Sequence, residues 1–213
     1  MTATAGMVKA VVVKSAGGGA GKSMSCDAIC TSFDPPIEFG THGEMVGSLA
    51  DHQAEHIVPT SAFHELGRSG AKVDGCDGYS TSGALTWMVR DGQSANQEHK
   101  LLTDPMRKFS QQNDLTDKRA PLKDWLDKYK EGAKDALKNA DPKRRITNDK
   151  VDPDSLIDAA AECIRAKAAE SFEQMKPKVK EDTPLRNPWK ATKEQQEEAA
   201  AAAQQAAARG RRR

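Results

Sequence analysis

Three shortages in the sequence limit what the chain can be. Aromatic side chains make up 5% of the 213 residues and hydrophobic ones 37%, which predicts a modest, alanine-rich core. No apolar run approaches the ~20 residues that a membrane-spanning helix needs, so we expect no membrane partner. The N-terminus lacks a charged region followed by an apolar run and a cleavage site, so we expect no conventional signal peptide and a chain that is cytoplasmic when made.

The four cysteines form no Cys-x-x-Cys pair. Cys26 and Cys30 lie four positions apart, a spacing that suits one face of a helical turn better than a zinc knuckle. A structural zinc site is therefore the less favoured interpretation of these cysteines.

The formal net charge of +1 conceals two halves of opposite sign. Residues 1–99 hold 6 Lys/Arg against 11 Asp/Glu, a net charge of −5, and residues 100–213 hold 26 against 20, a net charge of +6. The chain ends in a basic tail, with Arg209, Arg211, Arg212 and Arg213. Such a tail would attract a polyanion, and an ordinary solvated tail explains the same residues equally well.

The stretch SAGGGAGKS, residues 15–23, follows an apolar run and resembles a phosphate-binding loop. Such a loop needs a preceding strand and a following helix whose N-terminus faces the phosphates. Gly21, Lys22 and Ser23 fit the pattern, but Ala16 stands at the leading glycine position and two prolines soon follow. We interpret the stretch as a flexible glycine-rich loop and keep a phosphate-loop nucleotide hydrolase as the weaker enzymatic alternative.

The patterning of the sequence divides the chain into four segments. These are a loop-rich segment 1–48, a core 49–112, a helical extension 113–190, and a low-complexity Ala/Gln helix with an arginine-rich tail, 191–213. The valines at 8–14 and the stretch GALTWMVRDG favour strands. The combination of strands and helices predicts an α+β fold class.

Three stretches carry helical signals. We expect the helix in NQEHKLLTDPMRKF to be interrupted or to restart near Pro105, because proline lacks the N–H and clashes with the preceding turn. Apolar residues at three- and four-residue spacings predict amphipathic helices in APLKDWLDKYKEGAKDALKNAD and DPDSLIDAAAECIRAKAAESFEQM. The Asp-Pro start of the second stretch suits a helix N-terminus.

The stretch DHQAEHIVPTSAFH concentrates the residues best suited to catalysis. It places His52, Glu55, His56 and His64 around a short apolar strand ended by Pro59. Imidazole titrates near neutrality and can take a proton from water, and a carboxylate with an imidazole can hold a divalent ion. Each residue also has an ordinary interpretation: Glu55 as a surface carboxylate, His56 as a buried imidazole bonded to backbone, and His52 and His64 as incidental.

The sequence Glu-His-Ile-Val-Pro at 55–59 resembles the first motif of the HNH/endonuclease VII superfamily, especially its bacterial polymorphic-toxin branches. In GYSTSGALTWMVRDGQSANQEHKLL, a strand, a polar loop and a histidine entering a helix recur in the same order. The resemblance covers roughly residues 50–110 and implies a ββα-metal (HNH-like) core with a helical C-terminal extension. The sequence departs from the family pattern in two ways. The gap between His56 and His99 is longer than in compact members of the family, which implies an insertion around 67–83, and the paired cysteines that brace some HNH domains are absent.

The resemblance assigns roles to individual residues. In that family the first residue of the motif pair binds metal and the second is the base. Glu55 and His99 would then bind a divalent ion (Mg, Mn or Zn), His56 would activate water, and Asn96 would orient His56 or the phosphate. An ordinary position on a helix surface is the alternative for His99.

The resemblance implies a metal-dependent nuclease that hydrolyses phosphodiester bonds, with DNA preferred over RNA. The toxin branches imply specialised delivery into the cytoplasm of competing bacteria and a cognate immunity protein as partner. The low aromatic content argues against recognition by base stacking, so contacts mainly to the phosphate backbone are expected. The non-enzymatic alternative is a helical interaction protein with a structural histidine cluster, which would cleave nothing with any divalent ion.

Overall fold

The computed structural model describes residues 10–17, 20–66, 68–90, 96–112 and 119–189. The strands are β1 (Val11–Val13), β2 (Lys22–Met24), β3 (Phe33–Asp34), β4 (Phe39–Thr41), β5 (His52–His56), β6 (His64–Leu66), β7 (Ser69–Lys72), β8 (Leu85–Arg90), β9 (Ala120–Pro121), β10 (Arg145–Ile146) and β11 (Pro184–Leu185). The helices are α1 (Cys26–Cys30), α2 (His42–Met45), α3 (Glu98–Ser110), α4 (Leu122–Asn139) and α5 (Pro153–Gln174), with a 3-10 turn at Thr60–Phe63. This mixture confirms the predicted α+β class.

The largest sheet has three antiparallel strands in the order β4-β8-β5. Its central strand β8 is apolar on both faces, and Trp87, Met88 and Val89 are at most 2% exposed. In the pairing of β5 with β8, Glu55 lies opposite Trp87 and His56 lies opposite Thr86. The Glu-His pair therefore occupies the last two positions of β5.

Helix α3 runs through Pro105 without interruption, so the expected break near this proline is wrong. Leu102 and Met106, on either side of Pro105 in the sequence, have no solvent exposure. Burial of this apolar face stabilises the helix although the proline removes one backbone hydrogen bond. The prediction failed because tertiary packing outweighs the local cost.

The two predicted amphipathic helices are confirmed as α4 and α5. The predicted apolar face of α4 is at most 2% exposed throughout, at Leu122, Trp125, Leu126, Tyr129, Ala133 and Leu137. Asp152 caps the start of α5, since its side chain accepts a 2.8 Å hydrogen bond from the Ser155 backbone N–H. The low-complexity helix predicted at 191–213 lies outside the described residues.

One hydrophobic cluster runs through the described chain, from Val13 in β1 to Leu185 in β11. It includes residues from three of the predicted segments, 1–48, 49–112 and 113–190. The helical region after residue 119 thus packs on the same core as β8 and α3, and the boundaries near 49 and 113 do not separate two cores. Within the described residues, no helix has the length and apolar character to cross a membrane.

Cys26 in α1 and Cys163 in α5 form a disulfide between residues 137 positions apart. Cys30 and Cys76 are free and buried, and burial raises the pKa of each thiol to about 11. The less favoured zinc interpretation of Cys26 and Cys30 is therefore unsupported, because Cys26 is already bonded to a distant cysteine. No local pattern in the sequence indicates this pairing, which depends on the packing of α1 against α5.

The glycine-rich stretch does not have the geometry of a phosphate-binding loop. Lys22 and Ser23 lie in β2, which pairs antiparallel with β1 so that Lys22 is opposite Val13. The next helix begins at Cys26 and has 5 residues. In a phosphate-binding loop the Lys-Ser pair opens the helix itself, with the helix N-terminus aimed at the phosphates.

Candidate active site

A cavity of about 800 Å³ opens where β5 ends. Its walls come from β5, from the start of α2, from one side of α3 and from the segment after β11. A volume of this size accommodates a nucleotide-sized group.

Glu55 and His56 both line the cavity, although neighbouring residues on a strand point to opposite faces. They can do so because β5 ends at His56, where the chain leaves the sheet before Pro59. The strand-end position anticipated for the pair is therefore present. Glu55 faces α3, and His56 faces the loop before β8.

The structure brings Glu55 together with His99 of α3. The Glu55 carboxylate oxygen Oε2 lies 3.4 Å from His99 Nε2, and the two side chains are 12% and 22% exposed, respectively. Burial raises the pKa of the Glu55 carboxyl to about 8. A cation beside this group would favour its ionised form.

The donor set of Glu55 and His99 fits a divalent ion held by two protein ligands. A carboxylate with an imidazole suits Mg²⁺, Mn²⁺ or Zn²⁺, and the remaining coordination positions can be filled by water and phosphate oxygens. Within the described ranges, no three His, Cys, Asp or Glu residues are grouped so that they could hold a metal ion. The fit is therefore to an open site completed by a ligand, and a closed structural site does not fit.

His56 has a fixed ring orientation. Its Nε2 lies 3.1 Å from the Thr81 carbonyl oxygen, and its ring stacks on that of His42 with the centroids 4.1 Å apart. Since a carbonyl only accepts, Nε2 carries the proton and Nδ1 has the lone pair. Burial lowers the pKa of His56, the Thr81 bond partly offsets this, and the charges of His42 and Arg68 lower it further. His56 is therefore held as a neutral imidazole.

His42 is a cavity residue that the sequence analysis missed. Burial lowers its pKa, as it does that of His56. It is the first residue of α2, which the Glu44 carboxylate stabilises by accepting hydrogen bonds from the Thr41 N–H at 3.1 Å and the Thr41 hydroxyl at 2.7 Å. The Thr-His-Gly-Glu spacing is the signal that could have placed a helix start, and hence His42, beside the sheet.

Three arginines line the cavity: Arg68 before β7, Arg107 in α3 and Arg186 after β11. Arg186 is anchored by hydrogen bonds from Nε and Nη2 to the Ser61 carbonyl, at 3.1 and 3.0 Å. Among the described lining residues, Glu55 is the single carboxylate. The cavity therefore has a net positive charge and favours an anionic ligand.

Gln53, two residues before Glu55 in β5, adds a polar group to this wall. Its side-chain nitrogen is buried, and no described residue accepts a hydrogen bond from it. A buried donor without an acceptor is costly, and a ligand in the cavity would reach this atom only if the wall around it moved.

Three residues of the predicted cluster lie elsewhere. Asn96, predicted to be catalytic, is exposed and is not among the described residues that line the cavity; its backbone carbonyl accepts a 2.8 Å hydrogen bond from the Asp141 N–H. His52 and His64 are bonded through Nδ1 to the backbone oxygens of Ala50 and Gly70. The described lining of the cavity thus does not include Asn96, and the backbone bonds of the two histidines favour their ordinary interpretation.

Comparison with known proteins adds nothing to this geometry. A scan against protein-family models found no match, and neither curated proteins nor solved structures yielded a similar protein. The assignment of a function therefore depends on the site itself and on the sequence motif.

Proposed function

We propose that the protein is a metal-dependent nuclease of the HNH type, with Glu55 and His99 as metal ligands and His56 as general base. The observation that carries the proposal is the 3.4 Å approach of Glu55 to His99 at a cavity that His56 also lines. The antiparallel pairing of β5 with β8, and the position of α3 directly after β8, also support the proposal, although β6 and β7 lie between the two strands in the chain.

The substrate is a phosphodiester, with DNA preferred over RNA. Arg68, Arg107 and Arg186 attract its negative charge to the cavity. Because these contacts are to phosphate, binding weakens steeply as the salt concentration rises. Delivery into competing bacteria and a cognate immunity protein follow from the motif resemblance alone and stay predictions.

His56 activates the attacking water. With Nε2–H donating to the Thr81 carbonyl, the lone pair of Nδ1 takes the proton from water, and the hydroxide oxygen attacks phosphorus. A divalent ion on Glu55 and His99 would stabilise the charge on the phosphate and on the departing 3′-oxygen. The arginines hold the phosphate while the P–O bond breaks.

The test is cleavage of supercoiled plasmid with Mg²⁺, Mn²⁺, Zn²⁺ or EDTA. Loss of a general base costs roughly 100-fold or more in rate, so His56→Ala should be nearly inactive. His64→Ala is the matched control, since His64 lies outside the cavity lining described above, and it should cut within a few-fold of wild type. Thermal unfolding must show all three proteins equally folded. The proposal fails if folded His56→Ala cuts as fast as wild type, or if wild type cuts with none of these ions.

A second test addresses the ligands. Mn²⁺ binding is measured by calorimetry on wild type, Glu55→Gln and His99→Ala, with His64→Ala again as control. Glu55→Gln keeps the size of the side chain but loses its charge, so both site variants should lose most of their Mn²⁺ affinity. Equal affinities in all four proteins would remove the metal site from the proposal.

A further inference from the structure

One stripe of α3 leads away from the proposed metal ligand. His99, Thr103 and Arg107 are spaced four residues apart, and all three line the cavity. At 1.5 Å per residue, the backbone rises roughly 12 Å from His99 to Arg107. That is the length of about three to four nucleotide steps at 3.4 Å per step along one strand.

Trp189 lies at the far end of this stripe. Its ring is partly exposed and lines the cavity, and the Arg107 guanidinium carbon is 6.0 Å from its centroid. In the part of the chain that the structure describes, no carboxylate forms an ion pair with Arg107, so its charge is available to a phosphate. Arg107 lies over the ring of Trp189, and the two side chains combine the groups that bind single-stranded nucleic acid: an aromatic ring for base stacking and a cation for phosphate contact.

The position of the Trp189 ring is held by a buried tryptophan and by a hydrogen-bonded asparagine. The ring rests against Trp125, with the centroids 6.1 Å apart, and Trp125 is fully buried. The Asn187 side chain accepts a 3.0 Å hydrogen bond from the backbone N–H of Trp189. The same side chain donates a 2.8 Å hydrogen bond to the Ser110 carbonyl at the end of α3. These contacts attach Trp189 to α3, the helix that carries His99.

We infer that Trp189 stacks on an unpaired base of the substrate strand, a few nucleotides from the scissile phosphate, so that the enzyme prefers single-stranded DNA to duplex. This inference rests on the proposed function and names the substrate form for the same cavity. In a duplex both faces of each base are covered by neighbouring bases, so a stacking side chain needs an unpaired one. The low aromatic content of the sequence predicted the opposite, but one of its three tryptophans borders the cavity.

The first test uses single-stranded DNA oligonucleotides with one abasic nucleotide moved through successive positions around the cut. For wild type, one position should lower kcat/KM about tenfold or more relative to intact DNA, because the stacked base is missing. Trp189→Phe keeps a ring and should keep this effect. Trp189→Leu keeps an apolar side chain against Trp125 and should lose it, and each ratio is taken within one variant, so stability differences cancel.

The same oligonucleotide made of RNA forms the second arm. RNA carries uracil in place of thymine, but each of its bases has a flat face, so stacking by Trp189 should give the same abasic position wherever RNA is cut. The inference is overturned if Trp189→Leu retains the abasic effect, or if wild type cuts the same sequence equally fast as duplex and as single strand. In that outcome cleavage itself persists, so the proposed nuclease function survives.

A binding measurement separates the two ideas when no cleavage occurs. In EDTA, oligothymidylate should quench the tryptophan fluorescence of wild type and leave that of Trp189→Phe unchanged, since Trp87 and Trp125 are buried. Quenching confined to wild type, together with no cleavage in the presence of any of the tested ions, would support the stacking site and reject the nuclease. Equal quenching in the two proteins, or none in either, would overturn the inference.

Discussion

We predict that Arg144→Met lowers the free energy of unfolding by about 3–5 kcal/mol, because it leaves the Glu98 carboxylate buried without its partner. Arg144 Nε lies 2.5 Å from Glu98 Oε1, and the two side chains are 1% and 0% exposed. The arginine also donates to the Pro35 and Pro36 carbonyls, both at 2.9 Å, and to the Met88 carbonyl at 2.6 Å. Three carbonyls lose their donor with the guanidinium, and the bond to the Met88 carbonyl is buried, which favours the upper end of the range.

The assay is urea unfolding at pH 7, with thermal unfolding as a second probe. For a chain of this length the loss corresponds to a fall of roughly 6–20 °C in Tm. Arg119→Met is the matched control, since Arg119 forms the same type of pair with Glu65 at 2.7 Å but is 37% exposed, and it should cost less than about 1 kcal/mol. If Arg144→Met costs no more than Arg119→Met, the pair does not carry a buried charge in solution.

A double variant tests the physical reason. Glu98→Gln removes the negative charge but keeps the shape of the side chain, so Arg144→Met combined with Glu98→Gln should be no less stable than Arg144→Met alone. A double variant that costs the sum of the two single losses would contradict the ion-pair argument. Glu98 also accepts a 2.8 Å bond from the Arg90 N–H, and it directly precedes His99. The same pair therefore fixes the start of α3, and with it His99.

Three further predictions concern stability and the rejected nucleotide site. Cys26→Ser should lower the free energy of unfolding by up to about 5 kcal/mol, because the disulfide to Cys163 spans 137 positions. A thiol assay on the unfolded wild type should detect two free thiols before reduction and four after it. Four free thiols before reduction would contradict the disulfide. Gly132→Ala should lower the free energy of unfolding in urea by roughly 1–3 kcal/mol, because the added Cβ would lie 2.2 Å from the Leu102 carbonyl oxygen. An unchanged urea midpoint would contradict this close approach of α3 and α4. Lys22→Ala should leave DNA cleavage unchanged, and loss of a nucleotide hydrolase activity in this variant would restore the phosphate-loop alternative.

The sequence predicted best those elements whose signal is local. The apolar face of α4 repeats with the helical period over five turns, so Trp125 and Leu137 could be placed in the core without knowledge of their neighbours. The expected break at Pro105 was wrong because the lost hydrogen bond is a local cost, whereas the burial that outweighs it comes from packing against a helix later in the chain. The Cys26–Cys163 bond could not be predicted for the same reason, since its two residues share no local pattern.

The same difference between local and long-range signals separates the site residues that the sequence predicted from those that it did not. Glu55 and His56 lie in one short motif, so their shared position at the end of β5 could be argued from the strand and Pro59. His99 required a long-range contact, which a motif order suggested and a packed helix supplies. His42, the arginines and Trp189 are isolated residues of common types, and nothing adjacent to them in the sequence marks them as cavity residues.

The cavity also shows why residues 49–112 are not a self-contained unit. The Arg186 backbone N–H donates a 3.0 Å hydrogen bond to the Ala62 carbonyl, and its guanidinium donates to the Ser61 carbonyl next to it, just after the Pro59 turn. The segment after β11 is thereby tied to the turn that follows β5, and it supplies Arg186 and Trp189 to the cavity. The helices between residues 119 and 174 bring that segment back to the sheet. Under the proposed function, substrate binding at this site would therefore depend on residues far from the motif in sequence, since the motif supplies Glu55 and His56 but none of the arginines that line the cavity.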